Sequence, residues 1–199
     1  MSLITFVKIS KISNLSDARY SAGMGVNQIG ICANPSDKNY IDPELAKDII
    51  QWISGPEIVL ECTGFSNWES IGEKYSYSHV QIPISDYPLF NGKEIKLILE
   101  IAIEEVNQLI PSIMDDNRIE YFYVISTKKE NTVEKYRDVL LSKSQNFPLV
   151  IGFGISPENI LELVNSTDIY GIALDGKNEL KPGLADYDHL ADVLELLEE

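Results

Sequence analysis

The chain has 199 residues, 44% of them hydrophobic, and a formal net charge of -15. This is enough for one domain, or two very small ones, with a core that needs no disulfide or metal, and it is too apolar for intrinsic disorder. The acidity argues against a nucleic-acid-binding face and against long-range attraction of anionic substrates. No run of about 18 apolar residues reads as a membrane span, no secretory leader is visible, and Cys32 and Cys62 read as reduced thiols, so the expected location is cytoplasmic.

Predicted strands and helices alternate along the chain. Residues 6–10 (FVKIS) form a first strand, and Asn14 caps a helix over 15–24 with Asp17 in its first turn. A second strand covers 28–33. Asp42-Pro43-Glu44 supplies a cap, a proline at the first helical position and an acid, opening a helix to residue 53. A third strand spans 57–62, and Ser66 with Glu69 makes a capping box for the next helix. A fourth strand covers 79–84. Residues 85–92, holding Pro88 and Gly92, read as a loop or a short turn of helix.

A fifth strand covers 96–101, followed by a helix over 103–114. The sixth strand, 121–126, is rich in aromatic and β-branched residues, and a helix follows over 133–141. The seventh strand, 148–151, runs into Gly152-Phe153-Gly154. Ser156-Pro157-Glu158 repeats the cap signature before a helix to residue 164. An eighth strand covers 169–174, and residues 188–198 form an amphipathic helix with Leu190, Val193, Leu194 and Leu197 on one stripe. Eight strands alternating with helices predict an α/β chain folded as a single-domain (βα)8 TIM barrel over residues 1–199. A doubly wound open sheet is the rival, and the strand count favours the barrel.

The stretch 6–18, FVKISKISNLSDA, resembles the opening of phosphoribosylanthranilate isomerases, roughly V-K-I-C-G-I-T-N-x-x-D-A, at Val7, Lys8, Ile9, Ile12, Asn14, Asp17 and Ala18. Further matches follow in order. Gly25 and Gly30 fit G-A-D-A-x-G-F, and Tyr40 to Ala46 fit Y-V-x-P-E-x-A. Val80-Gln81-Ile82 fit the start of V-Q-L-H-G, residues 149–160 (LVIGFGISPENI) fit L-V-L-A-G-G-L-x-P-E-N-V, and Pro182, Gly183 and Asp186 fit a late P-G-x-K-D. The resemblance implies a barrel, monomeric or dimeric, and an Amadori rearrangement in tryptophan biosynthesis. A first-strand cysteine would act as base and an aspartate ending strand six as acid. Those positions hold Ser10 and Ile125, with Ser126 next in line, and Lys11 stands where the family has glycine.

The candidate catalytic residues are therefore Ser10, Lys8, Glu100 and Ser126, all expected near the carboxyl ends of strands. Lys8 and Glu100 would form a buried ion pair if they meet. Glu61 and Cys62 alternate along one strand, so only one of them can face inward. The resemblance places phosphate at Gly152, Gly154, Asp175, Gly176 and Lys177, in the loops after strands seven and eight. The same glycines serve equally well as plain turn residues. Asn39 and Gln81 fall at substrate-binding positions. The histidines His79 and His189 are not spaced as metal ligands, and no metal or cofactor is expected. The expected partner is a small molecule, phosphorylated or not, rather than nucleic acid or membrane. Three readings stay open: a retained isomerase, a divergent small-molecule barrel, and a non-catalytic interaction protein.

Overall fold

Eight parallel strands close on themselves: β1 (Phe6–Ser10), β2 (Gln28–Cys32), β3 (Glu57–Glu61), β4 (His79–Pro83), β5 (Lys96–Ala102), β6 (Ile119–Ile125), β7 (Leu149–Ile151) and β8 (Gly171–Asp175). The computed structural model describes residues 2–64, 72–176, 178–181, 184–186 and 188–199. In an open sheet β1 and β8 would not be joined. Here they pair through five residues, from Phe6 opposite Gly171 to Ser10 opposite Asp175, which excludes the doubly wound rival. An antiparallel pair, β9 (Asn178–Lys181) and β10 (Leu184–Asp186), follows the barrel's last strand.

Among the described residues the α-helices are α1 (Leu15–Gly23), α2 (Pro43–Gln51), α3 (Arg137–Ser144), α4 (Ile160–Ser166) and α5 (Asp188–Leu196). The predicted caps at Asn14 and Asp42 form as hydrogen bonds. The Asp17 amide donates to Asn14 Oδ1 at 2.9 Å, and the Glu44 and Leu45 amides donate to Asp42 Oδ1 at 3.0 and 3.1 Å. Of these helices, none among the described residues is long and apolar enough to cross a membrane.

Three expectations need correction. Residues 103–114 are not an α-helix but two 3-10 segments, Ile103–Gln108 and Pro111–Asp115. The cause is Pro111: the residue before a proline avoids helical geometry, and Ile110 is extended at φ -110°, ψ 140°. The helix expected from 133 begins as a 3-10 turn, Glu134–Tyr136, and turns α-helical at Arg137. Ser156 does not cap the helix expected after it: its amide donates to Asn159 Oδ1 at 2.9 Å, residues 157–159 form a turn, and α4 starts at Ile160 behind Asn159. The capping box at Ser66 and Glu69 lies outside the described residues, as do Lys177, Pro182 and Gly183.

Alternation sorts the strand side chains into two cores. Val7, Ile9, Ile29, Ile31, Leu60, Leu99, Phe122 and Val124 face outward and pack in a large layer with helix residues that include Leu190, Val193, Leu194 and Leu197. The inward cluster is small: Val59, Ile98, Tyr121, Tyr123, Val150 and Ala173. The interior also buries the polar side chains of Lys8, Gln28, Glu61, His79 and Gln81. Burial of that kind needs partners. At the amino-terminal end of the strands Tyr121 donates to Gln28 Oε1 at 2.7 Å. The carboxyl end holds a larger network.

Candidate active site at the carboxyl ends of the strands

β1 brings Lys8 into the barrel axis with no exposed surface. Its Nζ donates to Glu61 Oε1 at 2.8 Å and to Gln81 Oε1, and stands 4.8 Å from the centre of the Tyr123 ring. Gln81 Nε2 in turn donates to Glu100 Oε2 at 2.8 Å, and Thr63 Oγ1 donates to the same oxygen at 3.1 Å. The pair expected between Lys8 and Glu100 is thus Lys8–Glu61, with Gln81 linking it to Glu100 on β5. Alternation turns Glu61 inward, while Cys62, just past β3, packs in the outer layer.

Two glycines make room for this network. A Cβ on Gly30 would lie 2.1 Å from Glu61 Oε1, and one on Gly152 would lie 2.2 Å from Tyr123 Cε2. Glycine is thus required in β2 beside a crossing carboxylate, and after β7 beneath a phenol ring. Gly152, which the resemblance assigns to phosphate, is also the residue that gives the Tyr123 ring its room.

Above the network lies a cavity of about 370 Å³. Ser10, Lys11, Cys32, Asp37, Glu61, Thr63, Gln81, Glu100, Tyr123, Ser126, Phe153 and Asp175 are among the residues lining it. Four carboxyl groups (Asp37, Glu61, Glu100, Asp175) face two amines, Lys8 at the floor and Lys11 at the wall. Both amines are engaged, because Lys11 Nζ lies 2.8 Å from Asp175 Oδ2. Lys11 has φ 58°, the left-handed region that favours glycine. In that posture its amide donates to Glu61 Oε2 at 3.1 Å while its side chain reaches Asp175.

The electrostatics follow from burial. Desolvation pushes the Glu100 carboxyl above the ordinary carboxylate range, against hydrogen bonds from Thr63 and Gln81 and the charge of Lys8. It pushes the Cys32 thiol up to about 11 and Cys62 up to about 12, so neither is a ready thiolate. It also drives the Tyr123 phenol well above its usual value. Ser10 Oγ, 1% exposed by residue, completes no hydrogen bond of standard geometry, although it lies close enough to the Tyr123 phenol to affect its ionisation.

Of the predicted residues, the structure gathers Ser10, Gln81, Glu100, Ser126, Gly152 and Asp175 around one cavity, with Lys8 beneath it. Ser126, one residue past β6, is committed to its loop: Oγ donates to the Lys128 carbonyl and accepts from Lys128 and Asn131. Ile125 ends β6 and lines the cavity as hydrocarbon. Asn39 binds Asp37 locally and is not among the lining residues. Gly154, with φ 63°, borders a second hollow of about 200 Å³ between the loops after β7 and β8, which Asp175 also lines. The Gly176 amide is taken by the Ser10 carbonyl at 2.6 Å. Lys11 and Thr63 are site residues that the sequence reading does not include. Gly30 inside a strand was the legible sign of the crossing side chain.

No family model matches the chain. It is 26% identical over 188 residues to an N-(5'-phosphoribosyl)anthranilate isomerase of Petrotoga mobilis, covering 90% of each chain, and 26% identical over 202 residues to that of Thermotoga petrophila, covering 92% and 94%. Among solved structures, the phosphoribosylanthranilate isomerase of Thermotoga maritima superposes with a TM-score of 0.76 at 20% identity, covering 96% of this chain and 97% of the other. A phosphoribosylanthranilate isomerase in complex with a reduced carboxyphenylamino-deoxyribulose phosphate gives 0.73 at 19% identity over the same shares. Similarity along nine-tenths of the sequence, on the same closed barrel, supports membership of this chain in the phosphoribosylanthranilate isomerase family.

Proposed function

We infer that the chain is a divergent barrel that binds a small metabolite in its mouth and no longer carries out the phosphoribosylanthranilate rearrangement. The observation that carries this reading is the chemistry at the ends of β1 and β6. Where the resemblance implies a cysteine base and an aspartate acid, the chain has the Ser10 hydroxyl, with no adjacent base bonded to it, and the Ile125 side chain. A thiol ionises with a reference pKa of about 8.5, whereas a serine hydroxyl needs an adjacent base. Loss of one positioned acid or base costs about 10²–10⁴ in rate, and two losses in one site approach abolition even without strict additivity.

Binding remains well supported. The cavity is open and polar, and neither Phe153 nor Tyr123 fills it: Phe153 packs against Tyr136 in the outer layer, and Tyr123 lies over Gly152. That counts against a purely structural role. A phosphate group would meet Asp175 in the hollow beside Gly154, with Lys11 already neutralised. The alternative, an isomerase with relocated groups, has Glu100 as its only raised carboxyl among the described cavity residues.

The test is turnover of phosphoribosylanthranilate by the purified protein, followed by loss of anthranilate fluorescence, with rescue of a tryptophan auxotroph as the second readout. The expected result is no turnover above the uncatalysed background and no rescue. Robust turnover overturns the reading.

A further inference from the structure

We propose that the ligand of this mouth is a small protonated amine, held through its ammonium group by the cavity carboxylates, with a polar neighbour of that ammonium meeting the Ser10 hydroxyl. The proposal rests on the small-molecule reading above and names the chemistry of its ligand.

The charge balance comes first. Four carboxyl groups stand against two amines, and each amine already has a carboxylate at 2.8 Å. An entering anion finds no unpaired cation among the described residues of the wall, while an entering cation finds unused acceptors. Both hydrogen bonds to Glu100 fall on Oε2, which leaves Oε1 for a ligand. Glu100 is held above its ordinary range by burial, and a cation beside it would restore its charged form.

The second observation is independent of charge. Ser10 Oγ lines the cavity, is buried, and completes no hydrogen bond of standard geometry, with the Tyr123 phenol beside it. Buried hydroxyls are normally satisfied, and one without a well-formed bond in the wall of a polar cavity has hydrogen-bonding capacity to offer a ligand atom. Ser10 stands opposite Asp175 in the β1–β8 register, so the hydroxyl and that carboxylate are lateral neighbours.

The third is Lys11. Its ammonium reaches Asp175 from a loop residue held at φ 58°. The mouth therefore already accepts an alkylammonium, tethered to the chain. That pair is about half exposed, so it is weak and an incoming amine can compete with it.

The experiment titrates the intact protein with ethanolamine, putrescine and glucosamine, and in parallel with N-acetylethanolamine, N-acetylglucosamine, inorganic phosphate and ribose 5-phosphate. Amide shifts of Ser10, Gly30 and Gly152 in nitrogen-15 spectra provide the readout. The expected result is saturable shifts with at least one amine, about tenfold or more tighter than its acetylated counterpart, since acetylation removes a charge-assisted contact.

Lys11→Ala should tighten amine binding severalfold by freeing Asp175. Asp175→Asn, at a half-exposed position that does not threaten folding, should weaken it, as should Glu100→Gln. Phosphate or ribose 5-phosphate binding more tightly than every amine overturns the proposal and leaves the small-molecule reading standing. Weaker amine binding in Lys11→Ala overturns it, and so does the absence of saturable shifts with all three amines. Failure of the non-isomerase reading shows separately, as turnover of phosphoribosylanthranilate.

Discussion

Lys8 and Glu61 form a buried pair in which each side depends on the other. Lys8 is fully buried, and Glu61 keeps 7% of its side-chain surface. Breaking one side of such a pair costs about 3–5 kcal/mol, because a buried charge loses its partner. Lys8→Met should therefore destabilise the fold by about that amount in chemical denaturation, and Glu61→Gln added to it should recover part of the loss. Glu100 offers a residue-scale test with pH. Its pKa is raised in the folded protein, so the fold binds that proton more tightly than the unfolded chain does. The contribution is full below the ordinary carboxyl range and fades as pH rises through the raised value. His79 acts in the opposite direction. Burial holds it below 6.5 despite Glu57 and Glu120, so its contribution is lost as pH falls below that value. Glu100→Gln removes only the first titration. Compared between pH 7 and pH 5, the stability of the wild type relative to Glu100→Gln should rise on acidification.

The elements were legible where local chemistry decides them. Asn14 and Asp42 announced α1 and α2, and both side chains accept amide hydrogen bonds at the predicted helix starts. Asp42→Ala should cost about 1 kcal/mol, which lowers the melting temperature by about 2–4 °C in a chain of this size. Thermal melts check this, and the mouth amides should not shift. Residues 103–114 failed as a helix because the apolar spacing of Ile103, Val106, Leu109, Ile110 and Ile113 satisfies either helical pitch, and Pro111 decides between them. The site was half legible. Strand ends located Ser10, Glu100 and Asp175 at one mouth, the family resemblance pointed to Gln81, and a buried partner for Lys8 was expected from its place on the first strand. The identity of that partner was not legible, because Glu61 reaches Lys8 from β3 only where Gly30 on β2 leaves room. The left-handed backbone of Lys11 had one sign, the glycine that the family carries at this position, but nothing in a lysine side chain shows that its ammonium reaches Asp175.

The whole molecule carries a net charge of -15, and at low ionic strength that charge repels itself across the fold. Raising salt from about 10 mM to about 150 mM shortens the screening length from roughly 30 Å to roughly 8 Å. The melting temperature should rise by a few degrees over that range. A fall would mean that the ion pairs at Lys11, Arg118 and Arg137 contribute more than the general repulsion. The inner hydrocarbon cluster has a different effect at this scale. Val59, Ile98, Tyr121, Tyr123, Val150 and Ala173 stand between the carboxylate network at one end of the barrel and His79 at the other. Lys96, the register partner of His79, lies four residues before Glu100 on β5, about 13 Å along the strand. The barrel is thus a stoppered tube and not a conduit. Its foot can be rebuilt, for solubility or for attachment to a support, while its rim keeps the same acidity and the same appetite for guests.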